Sequence, residues 1–210
     1  MNTSKLQKLN EEMENTILTQ DPERLQKLTY LAEAITQQLK SKQKSEVVVI
    51  CTHNSRRSHI GQVMLRKAAV EFGLNGIVTY SGGTEATAMN ERVAKAFEEH
   101  GFDVYKKDNG DNPLYTLAWG ESDDDRLEGI HSKVYDDIEN PQSDFIALIV
   151  CSSADSNCPF VKGAAHRIYL PYEDPKNHDD TDQEATAYLN KIIEIGAEMR
   201  YVVEKVNEKI

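Results

Sequence analysis

The chain has 210 residues, enough for one full domain with an appendage but too few for two independent catalytic domains. Its net charge of −11 argues against nucleic acid as a partner, because binding to phosphate backbones needs clustered lysine and arginine. Apolar runs such as Val47 to Ile50 fall far short of the roughly 20 residues that a membrane span requires, and the N-terminus lacks the apolar core of a signal peptide. We therefore expect a cytoplasmic protein with no membrane partner.

Residues 1–45 predict two helices. Apolar side chains recur at helical spacing, first at Leu6, Leu9, Met13 and Ile17 and then at Leu25, Leu28, Leu31, Ile35 and Leu39. Asp21 followed by Pro22 supplies an N-cap and a proline at the first position of the second helix. The segment contains no cysteine, histidine or glycine, so we interpret it as a helical hairpin that packs on the main domain or on a partner chain. Ser41 to Ser45 is expected to be a linker, and the main domain is expected to span residues 46–210.

From Glu46 onward, strand patterns alternate with helix patterns. The predicted strands are Val47 to Ile50, Ile77 to Ser81, Phe145 to Val150 and Arg167 to Leu170, and the predicted helices are His59 to Phe72, Asn90 to His100 and Gln183 to Asn207. Gly73 and Gly101 are placed to end two of these helices, and Gly82-Gly83 is expected to form a turn. This alternation predicts an α/β fold, a three-layer sandwich around a central parallel sheet of about four strands.

A short loop follows the first buried strand and precedes the first helix of this domain. The loop, called the signature loop below, reads Cys51-Thr52-His53-Asn54-Ser55-Arg56-Arg57-Ser58. Backbone N–H groups and the positive end of a helix converge in such a loop, which favours the binding of an anion. A thiol there ionises readily, because nearby positive charge stabilises the thiolate. The sequence therefore predicts a site that binds oxyanions and attacks them through Cys51.

Residues 108–140 form an irregular insertion. Tyr115 to Trp119 and Ile130 to Tyr135 have the composition of strands and flank the acidic stretch Glu121 to Asp125, so the segment is compatible with a hairpin. The acidic stretch is interpreted as a solvated loop without chemistry. An insertion at this place could cover the site and change the choice of substrate.

The chain has three cysteines, Cys51, Cys151 and Cys158, which cannot all be paired at once within one chain. Their expected states are thiols or a transient, functional disulfide. Cys51, Cys151 and the segment Tyr172 to Pro175 each follow a predicted strand, and the carboxyl ends of parallel strands share one edge of the sheet. We therefore expect these groups to gather there. The cysteine spacing lacks the close pairs of a zinc site, so no metal or other cofactor is expected.

The signature loop resembles the Cys-x5-Arg-Ser loop of low-molecular-weight protein tyrosine phosphatases. Tyr80 to Thr84 and Asn90 resemble that family's second strand and the helix start beyond it, and Glu173-Asp174-Pro175 resembles its acidic loop. The resemblance implies that Cys51 is the nucleophile, Arg57 holds the oxyanion and Asp174 is the general acid. The residues that would bind substrate are Thr52, His53, Asn54, Ser55, Arg56 and Arg57, and the catalytic set would be Cys51, Arg57, Ser58, Asp174, Cys151 and Cys158.

The segment Cys151 to Pro159 resembles the redox segment of thioredoxin-coupled arsenate reductases, which have the phosphatase fold. Both carry two cysteines seven positions apart, followed by proline. The resemblance implies reduction of arsenate to arsenite by a relay in which Cys51, Cys151 and Cys158 react in turn and thioredoxin is the reductant. The alternatives are a phosphatase that hydrolyses a phosphocysteine intermediate, and a protein that senses oxyanions without turnover.

The proposed pairing of Cys151 with Cys158 sets a geometric condition. A disulfide needs Cα atoms within about 7 Å, whereas residues seven apart on an intact helix are ~10.5 Å apart. We therefore expect the segment to be partly helical or looped in the reduced protein, with Cys158 shifting on oxidation.

Two residues of the signature loop depart from the phosphatase pattern. His53 stands where the family usually has glycine, and we interpret it as a solvent-facing spacer rather than an added donor. Arg56 stands where a second cysteine is common. It could raise anion affinity, but Arg57 is the arginine in frame, so we expect the Arg56 side chain to point to solvent.

Overall fold

The computed structural model describes residues 2–17, 21–157 and 160–210. Its helices are α1 (Thr3–Ile17), α2 (Pro22–Lys42), α3 (Arg57–Glu71), α4 (Glu91–Glu99), α5 (Ser152–Asn157) and α6 (Glu184–Asn207). Its strands are β1 (Ser45–Cys51), β2 (Ile77–Gly83), β3 (Asp103–Lys106), β4 (Tyr115–Ala118), β5 (Arg126–Ile130), β6 (Phe145–Ile149) and β7 (Ala164–Tyr169). Asp123–Asp125 and Pro175–His178 are short 3-10 helices.

The predicted α/β fold with a parallel sheet of four strands is confirmed. The strand order is β2-β1-β6-β7, and every neighbouring pair is parallel. Val47, Val48, Val49 and Ile50 are all fully buried, as expected for a central strand that is covered on both faces. Because β1 ends at Cys51 and β6 ends just before Cys151, both thiols lie at the carboxyl edge of adjacent strands.

Of the two N-terminal helices, α2 packs on this sheet and α1 packs on α6, and both contribute side chains to the common hydrophobic core. Asp21 caps α2 by accepting a hydrogen bond from the Glu23 N–H at 3.0 Å, and Pro22 occupies the first turn, as predicted. Leu28 and Leu31 are completely buried in the same hydrophobic cluster as the strands. The alternative of packing on the main domain is therefore what the structure shows.

Helices α2 and α3 cover the same face of the sheet. Tyr30 of α2 packs edge-on against His166 of β7. In the strand register, His166 lies beside Ile146 of β6, which lies beside Val47 of β1. A Cβ at Gly61 of α3 would come within 2.9 Å of Val49. Val47 and Val49 are two residues apart on one strand, so their side chains point to the same face.

The linker expected at Ser41 to Ser45 is wrong. Helix α2 continues to Lys42, and β1 begins at Ser45. The chain reverses through Gln43, whose φ of 58° is left-handed and whose N–H donates to the Leu39 carbonyl at 2.8 Å. The buried Ser45 hydroxyl donates to the Gln38 side chain at 3.0 Å, which joins helix and strand directly.

The irregular segment contains a second sheet, which is antiparallel with the order β3-β4-β5. The strand predicted over Ile130 to Tyr135 is wrong, because β5 lies earlier, at Arg126–Ile130. The acidic stretch makes the turn into it: Ser122 and Asp125 form a capping box around the 3-10 helix. Residues 131–135 instead lie beside the end of β2, where Gly83 forms an isolated parallel bridge with Val134.

The turn predicted at Gly82-Gly83 is also wrong, since both residues continue β2. A Cβ at Gly82 would lie 2.4 Å from the Tyr135 Cα, and one at Gly83 would lie 2.2 Å from the Glu85 carbonyl oxygen. Glycine is required here by the close approach of neighbouring backbone, not by a turn.

Among the described residues, no helix combines the length and the apolarity that crossing a membrane would need.

Replacing Leu31 by alanine tests whether α2 folds with the sheet as one unit. The side chain is fully buried in the common core, so we expect the free energy of unfolding to fall by about 2–5 kcal/mol. Urea denaturation followed by circular dichroism should show one cooperative transition. Gln37→Ala, at an exposed position of the same helix, is the control and should change stability by less than about 0.5 kcal/mol. A separate early transition in Leu31→Ala would contradict a common core.

Candidate active site

The signature loop connects β1 to α3, as the sequence predicts. Cys51 ends β1 with only 3% of its surface exposed, and Arg57 begins α3. Asn54 is fully buried and has a φ of 43°, a left-handed conformation that asparagine tolerates better than most residues. The end of β2 supports the loop, because Thr84 N–H donates to the Cys51 carbonyl at 3.2 Å and Glu85 N–H to the Thr52 carbonyl at 2.9 Å.

A chain of hydrogen bonds behind the loop ends on the Cys51 sulfur. The Lys133 N–H donates to Asn54 Oδ1 at 2.8 Å, which fixes the orientation of the Asn54 amide. Asn54 Nδ2 then donates to Ser58 Oγ at 2.8 Å. Since Ser58 Oγ accepts that bond, its own hydrogen is available to the Cys51 sulfur, 3.1 Å away. The hydroxyl is therefore placed to stabilise a thiolate at Cys51.

His59 lies directly beneath the same loop and is completely buried. Its Nε2 lies 2.7 Å from the Asn54 carbonyl and its Nδ1 lies 3.2 Å from Ser81 Oγ. Burial, with a smaller contribution from the Lys133 charge, lowers the pKa of His59 to about 3. The imidazole is thus neutral at physiological pH, and it acts as a fixed support for the left-handed turn at Asn54.

Arg57 joins the signature loop to the segment of residues 171–178, called the acid loop below. Its Nη1 donates to the Tyr172 carbonyl at 2.9 Å, and its Nη2 contacts Asp174 Oδ2 at 2.6 Å. Its Nε is buried and has no hydrogen-bond partner within the part of the chain that the structure describes. A buried donor without a partner is costly, so this N–H marks a place for an acceptor such as an oxyanion.

Asp174 is held from two sides and is partly exposed. Its Oδ2 pairs with Arg57, while its Oδ1 accepts the Lys176 N–H at 3.1 Å and caps the 3-10 helix Pro175–His178. About a quarter of the side chain, 27%, reaches the surface. The predicted gathering of the signature loop and the acid loop at one sheet edge is therefore confirmed by direct contact between Arg57 and Asp174.

Cys151 reaches the same edge from β6. Its sulfur lies 3.3 Å from Thr52 Oγ1, the residue after the proposed nucleophile, and accepts the Ala154 N–H at 3.4 Å. Only 1% of Cys151 is exposed. The residues that follow form α5, Ser152–Asn157, in agreement with a partly helical segment, whereas Cys158 lies outside the described residues.

The solvent-facing position expected for Arg56 is wrong. Only 13% of its side chain is exposed, because its Nε donates to Tyr188 Oη at 2.8 Å and its Nη2 pairs with Asp179 at 3.2 Å. Tyr188 Oη in turn donates to Asp179 at 2.8 Å, which closes a three-residue cluster. Arg56 thereby connects the signature loop to α6 and to Asp179, the residue that follows the acid loop. His53, in contrast, has half of its side chain exposed, as expected for a spacer.

The insertion supplies supports for the loop that sequence reasoning missed. Ser132 Oγ donates to the His53 carbonyl at 3.1 Å, and the Lys133 N–H holds Asn54 as described above. The insertion also walls a cleft of about 410 Å³ that reaches Ser55 of the signature loop and passes the ion pair of Lys106 with Glu91. The strand-like composition of residues 130–135 indicated backbone pairing, which the structure places with Gly83 of β2, but it did not indicate the contacts with the signature loop.

Residues 46–109 match the model of the low molecular weight phosphotyrosine protein phosphatase family. An arsenate reductase of Bacillus licheniformis is 24% identical over 162 residues, covering 77% of this chain and 96% of the relative. Arsenate reductase 2 of Staphylococcus epidermidis is 26% identical over 132 residues, covering 63% of this chain and 79% of the relative. The part of this chain that matches the family model contains the whole signature loop.

Solved structures agree on the fold. The solution structure of a low molecular weight protein tyrosine phosphatase from Bacillus subtilis matches with a TM-score of 0.50 at 15% identity, covering 78% of this chain and 97% of that one. The family model ends at residue 109, before Cys151 and Asp174. Roles for these two residues therefore depend on their contacts with the signature loop.

Among the described residues, no group of three or more histidine, cysteine, aspartate and glutamate side chains could hold a metal ion.

Replacing Ser58 by alanine tests the hydrogen bond to Cys51. Loss of the hydroxyl should slow alkylation of Cys51 by iodoacetamide at neutral pH about tenfold, since a hydrogen bond to a charged group is worth about 1.5–3 kcal/mol. The rate is measured by mass spectrometry of the Cys51 peptide. Ser132→Ala removes a loop contact that does not touch the thiol and serves as the control. Equal rates in wild type and Ser58→Ala would show that the hydroxyl does not stabilise the thiolate.

Replacing His59 by glutamine tests the buried neutral imidazole. Its pKa of about 3 lies below that of an unfolded histidine, so its contribution to stability is complete above pH 6.5 and is lost progressively between pH 6.5 and 3. Urea unfolding should show about 2 kcal/mol more loss of stability between pH 7.5 and 5 in wild type than in His59→Gln. Ser81→Ala, which keeps the imidazole, should retain the wild-type pH dependence. Equal slopes in all three proteins would contradict this assignment.

Proposed function

We propose that this protein reduces arsenate to arsenite through a thiolate at Cys51 and a disulfide relay that includes Cys151 and Cys158. The observation that supports this most directly is the contact of Cys151 with the signature loop, 3.3 Å from Thr52 Oγ1. A phosphatase needs no second buried thiol at this place. The two arsenate reductases described above, each similar over most of its own length, point to the same chemistry.

In the first step, arsenate binds in the signature loop and the Cys51 thiolate attacks arsenic. The unpartnered Arg57 Nε supplies one hydrogen bond to an arsenate oxygen, and the bond from Arg57 to Asp174 is free to rearrange around the anion. Asp174, when protonated, donates its proton to the departing oxygen, which leaves as water. A covalent bond between sulfur and arsenic(V) results.

In the second step, the Cys151 thiolate attacks the Cys51 sulfur. A disulfide between the two cysteines forms, the bond between sulfur and arsenic breaks, and its electron pair remains on arsenic, which is released as arsenite. Arsenic gains two electrons and two thiols are oxidised, so the step balances. The Cys158 thiolate then attacks Cys151, which restores Cys51 and leaves a disulfide of Cys151 with Cys158.

Thioredoxin is the reductant that we propose for this last disulfide. Helix α5 occupies Ser152–Asn157, so closing the disulfide requires this helix to unwind or bend. Its composition suits such a change: serine, asparagine and aspartate are weak helix formers. We place the reaction in the cytoplasm, where thiols are kept reduced between turnovers.

The second candidate function is hydrolysis of phosphate monoesters. The contact of Arg57 with Asp174 supports it, since an anion-binding arginine beside a carboxyl group serves a phosphate ester as well as arsenate. In that reaction Cys51 forms a phosphocysteine, Asp174 protonates the leaving alcohol and water completes the cycle. Cys151 and Cys158 would then protect Cys51 from oxidation without taking part in turnover.

Cysteine variants separate the two functions. With thioredoxin, its reductase and NADPH, wild type should consume reductant continuously on addition of arsenate. Cys151→Ser should release no arsenite, because nothing displaces arsenic from Cys51. Cys158→Ser should release at most one arsenite per protein and accumulate the disulfide of Cys51 with Cys151, detected by mass spectrometry. Ser153→Ala, at an exposed position of α5, is the control and should turn over normally.

Hydrolysis of p-nitrophenyl phosphate by the same variants completes this test. Both cysteine variants should retain it, because only Cys51 takes part. If wild type hydrolyses the ester but never consumes reductant with arsenate, the relay is wrong and the phosphatase function stands. Continuous arsenate reduction by Cys151→Ser would also overturn the relay.

A further inference from the structure

Helix α2 of the N-terminal segment reaches the acid loop through one side chain. The Arg24 Nη1 donates to the Pro171 carbonyl at 2.9 Å. The same guanidinium binds both carboxylate oxygens of Glu198 on α6, at 2.6 Å from Nε and 3.0 Å from Nη2. It also lies over the Tyr172 ring, 4.6 Å from the ring centre. One residue of α2 therefore contacts two consecutive residues of the acid loop.

The cluster is buried, which makes its contacts strict. Glu198 is completely inaccessible and Tyr172 is 4% exposed. Burial raises the pKa of Tyr172 well above its usual value, so the phenol stays protonated and donates to Glu198. A buried carboxylate must be paired and hydrogen-bonded, and a planar guanidinium can satisfy Glu198 and the Pro171 carbonyl at once. The compact ammonium group of lysine cannot reproduce this fork.

Two backbone steps connect this cluster to the site. The Tyr172 carbonyl accepts the bond from Arg57 Nη1, and Asp174, two residues further along, accepts from Arg57 Nη2. Tyr172 is fixed at its ring by Arg24, at its hydroxyl by Glu198 and at its N–H by the Val150 carbonyl, 3.1 Å away. These contacts on Tyr172, one of which comes from Arg24 of α2, therefore help to fix the position of Asp174 relative to Arg57.

We propose that Arg24, together with Glu198, is a positioning residue that holds Asp174 in register with Arg57, so that the N-terminal helix α2 is a working part of the active site. The proposal rests on the proposed role of Asp174 as the general acid. Two other ion pairs join the N-terminal helices to the body, Arg200 with Glu14 at 2.8 Å and Lys209 with Glu33 at 3.2 Å, and neither includes a residue of the acid loop.

Hydrogen exchange of the Arg24→Lys variant tests the positioning directly and does not depend on activity. Arg24→Lys keeps the charge that Glu198 needs but loses the fork to Pro171. We expect the peptide spanning residues 170–178 to exchange at least threefold faster than in wild type, while the β6 peptide keeps its rate. Arg200→Lys makes the same chemical change at an ion pair with Glu14, which includes no residue of the acid loop, and it is the matched control. Unchanged exchange over residues 170–178 overturns the proposal whatever the activity.

Leaving-group dependence tests the consequence for catalysis. A misplaced acid matters most when the leaving group is a poor one, so we expect Arg24→Lys to lower kcat/KM for phenyl phosphate roughly tenfold more than for p-nitrophenyl phosphate, within the 10²–10⁴-fold range of general acid catalysis. Arg200→Lys should lower neither. A purely structural role for Arg24 predicts equal losses with the two esters, and that result overturns the proposal.

A second variant guards against too mild a change. Arg24→Met leaves Glu198 buried without its cation and should enlarge both effects if the protein folds; exchange over residues 170–178 equal to wild type in a folded Arg24→Met also overturns the proposal. The proposed function fails by a different result. If wild type does not reduce arsenate, the relay is wrong, and if it also hydrolyses neither ester, the acid role of Asp174 is wrong. In both cases the exchange of residues 170–178 still reports whether Arg24 holds the acid loop.

Discussion

The rest of the site depends on the hydrogen bonds that the Arg57 guanidinium makes to the acid loop. This residue sits at the first position of α3 and binds two separate points of the acid loop, the Tyr172 carbonyl and the Asp174 carboxylate. Two loops more than a hundred residues apart in the chain are thereby held at one edge of the sheet. Its third nitrogen, Nε, is buried without a partner among the described residues, and in the proposed function it donates to the oxyanion.

A network of buried hydrogen bonds behind Arg57 holds the signature loop in one conformation. Asn54 holds its left-handed turn because His59 and the Lys133 backbone satisfy its carbonyl and its side chain. Ser58 accepts a hydrogen bond from Asn54, and its hydroxyl lies within hydrogen-bond distance of the Cys51 sulfur. These groups are buried, and a buried polar network is stable only when its members are paired, which is why the insertion that supplies Lys133 is part of the site and not a separate cover.

The cluster of Arg24, Glu198 and Tyr172 extends the same logic to the N-terminal helices. A buried ion pair adds little net stability compared with apolar side chains of similar size, because the desolvation of both charges offsets their attraction. The more informative property of this ion pair is that, because it is buried, its hydrogen bonds must keep one geometry. In the proposed reaction, these contacts fix the position of the Asp174 carboxyl group, which gives its proton to the departing oxygen.

The sequence by itself determined the strand, loop and helix around Cys51 and the central parallel sheet, because periodicity and loop composition are local signals. It also determined that Cys51, Cys151 and the acid loop gather at one edge, because parallel strands share a carboxyl edge. Only the tertiary structure decided that Arg56 is buried against Tyr188, that residues 132 and 133 support the signature loop, and that Arg24 binds Glu198. That last pair is separated by 174 residues, and a contact of this range leaves no periodic pattern in the sequence. Its partners become evident only when α2 and α6 are packed against each other.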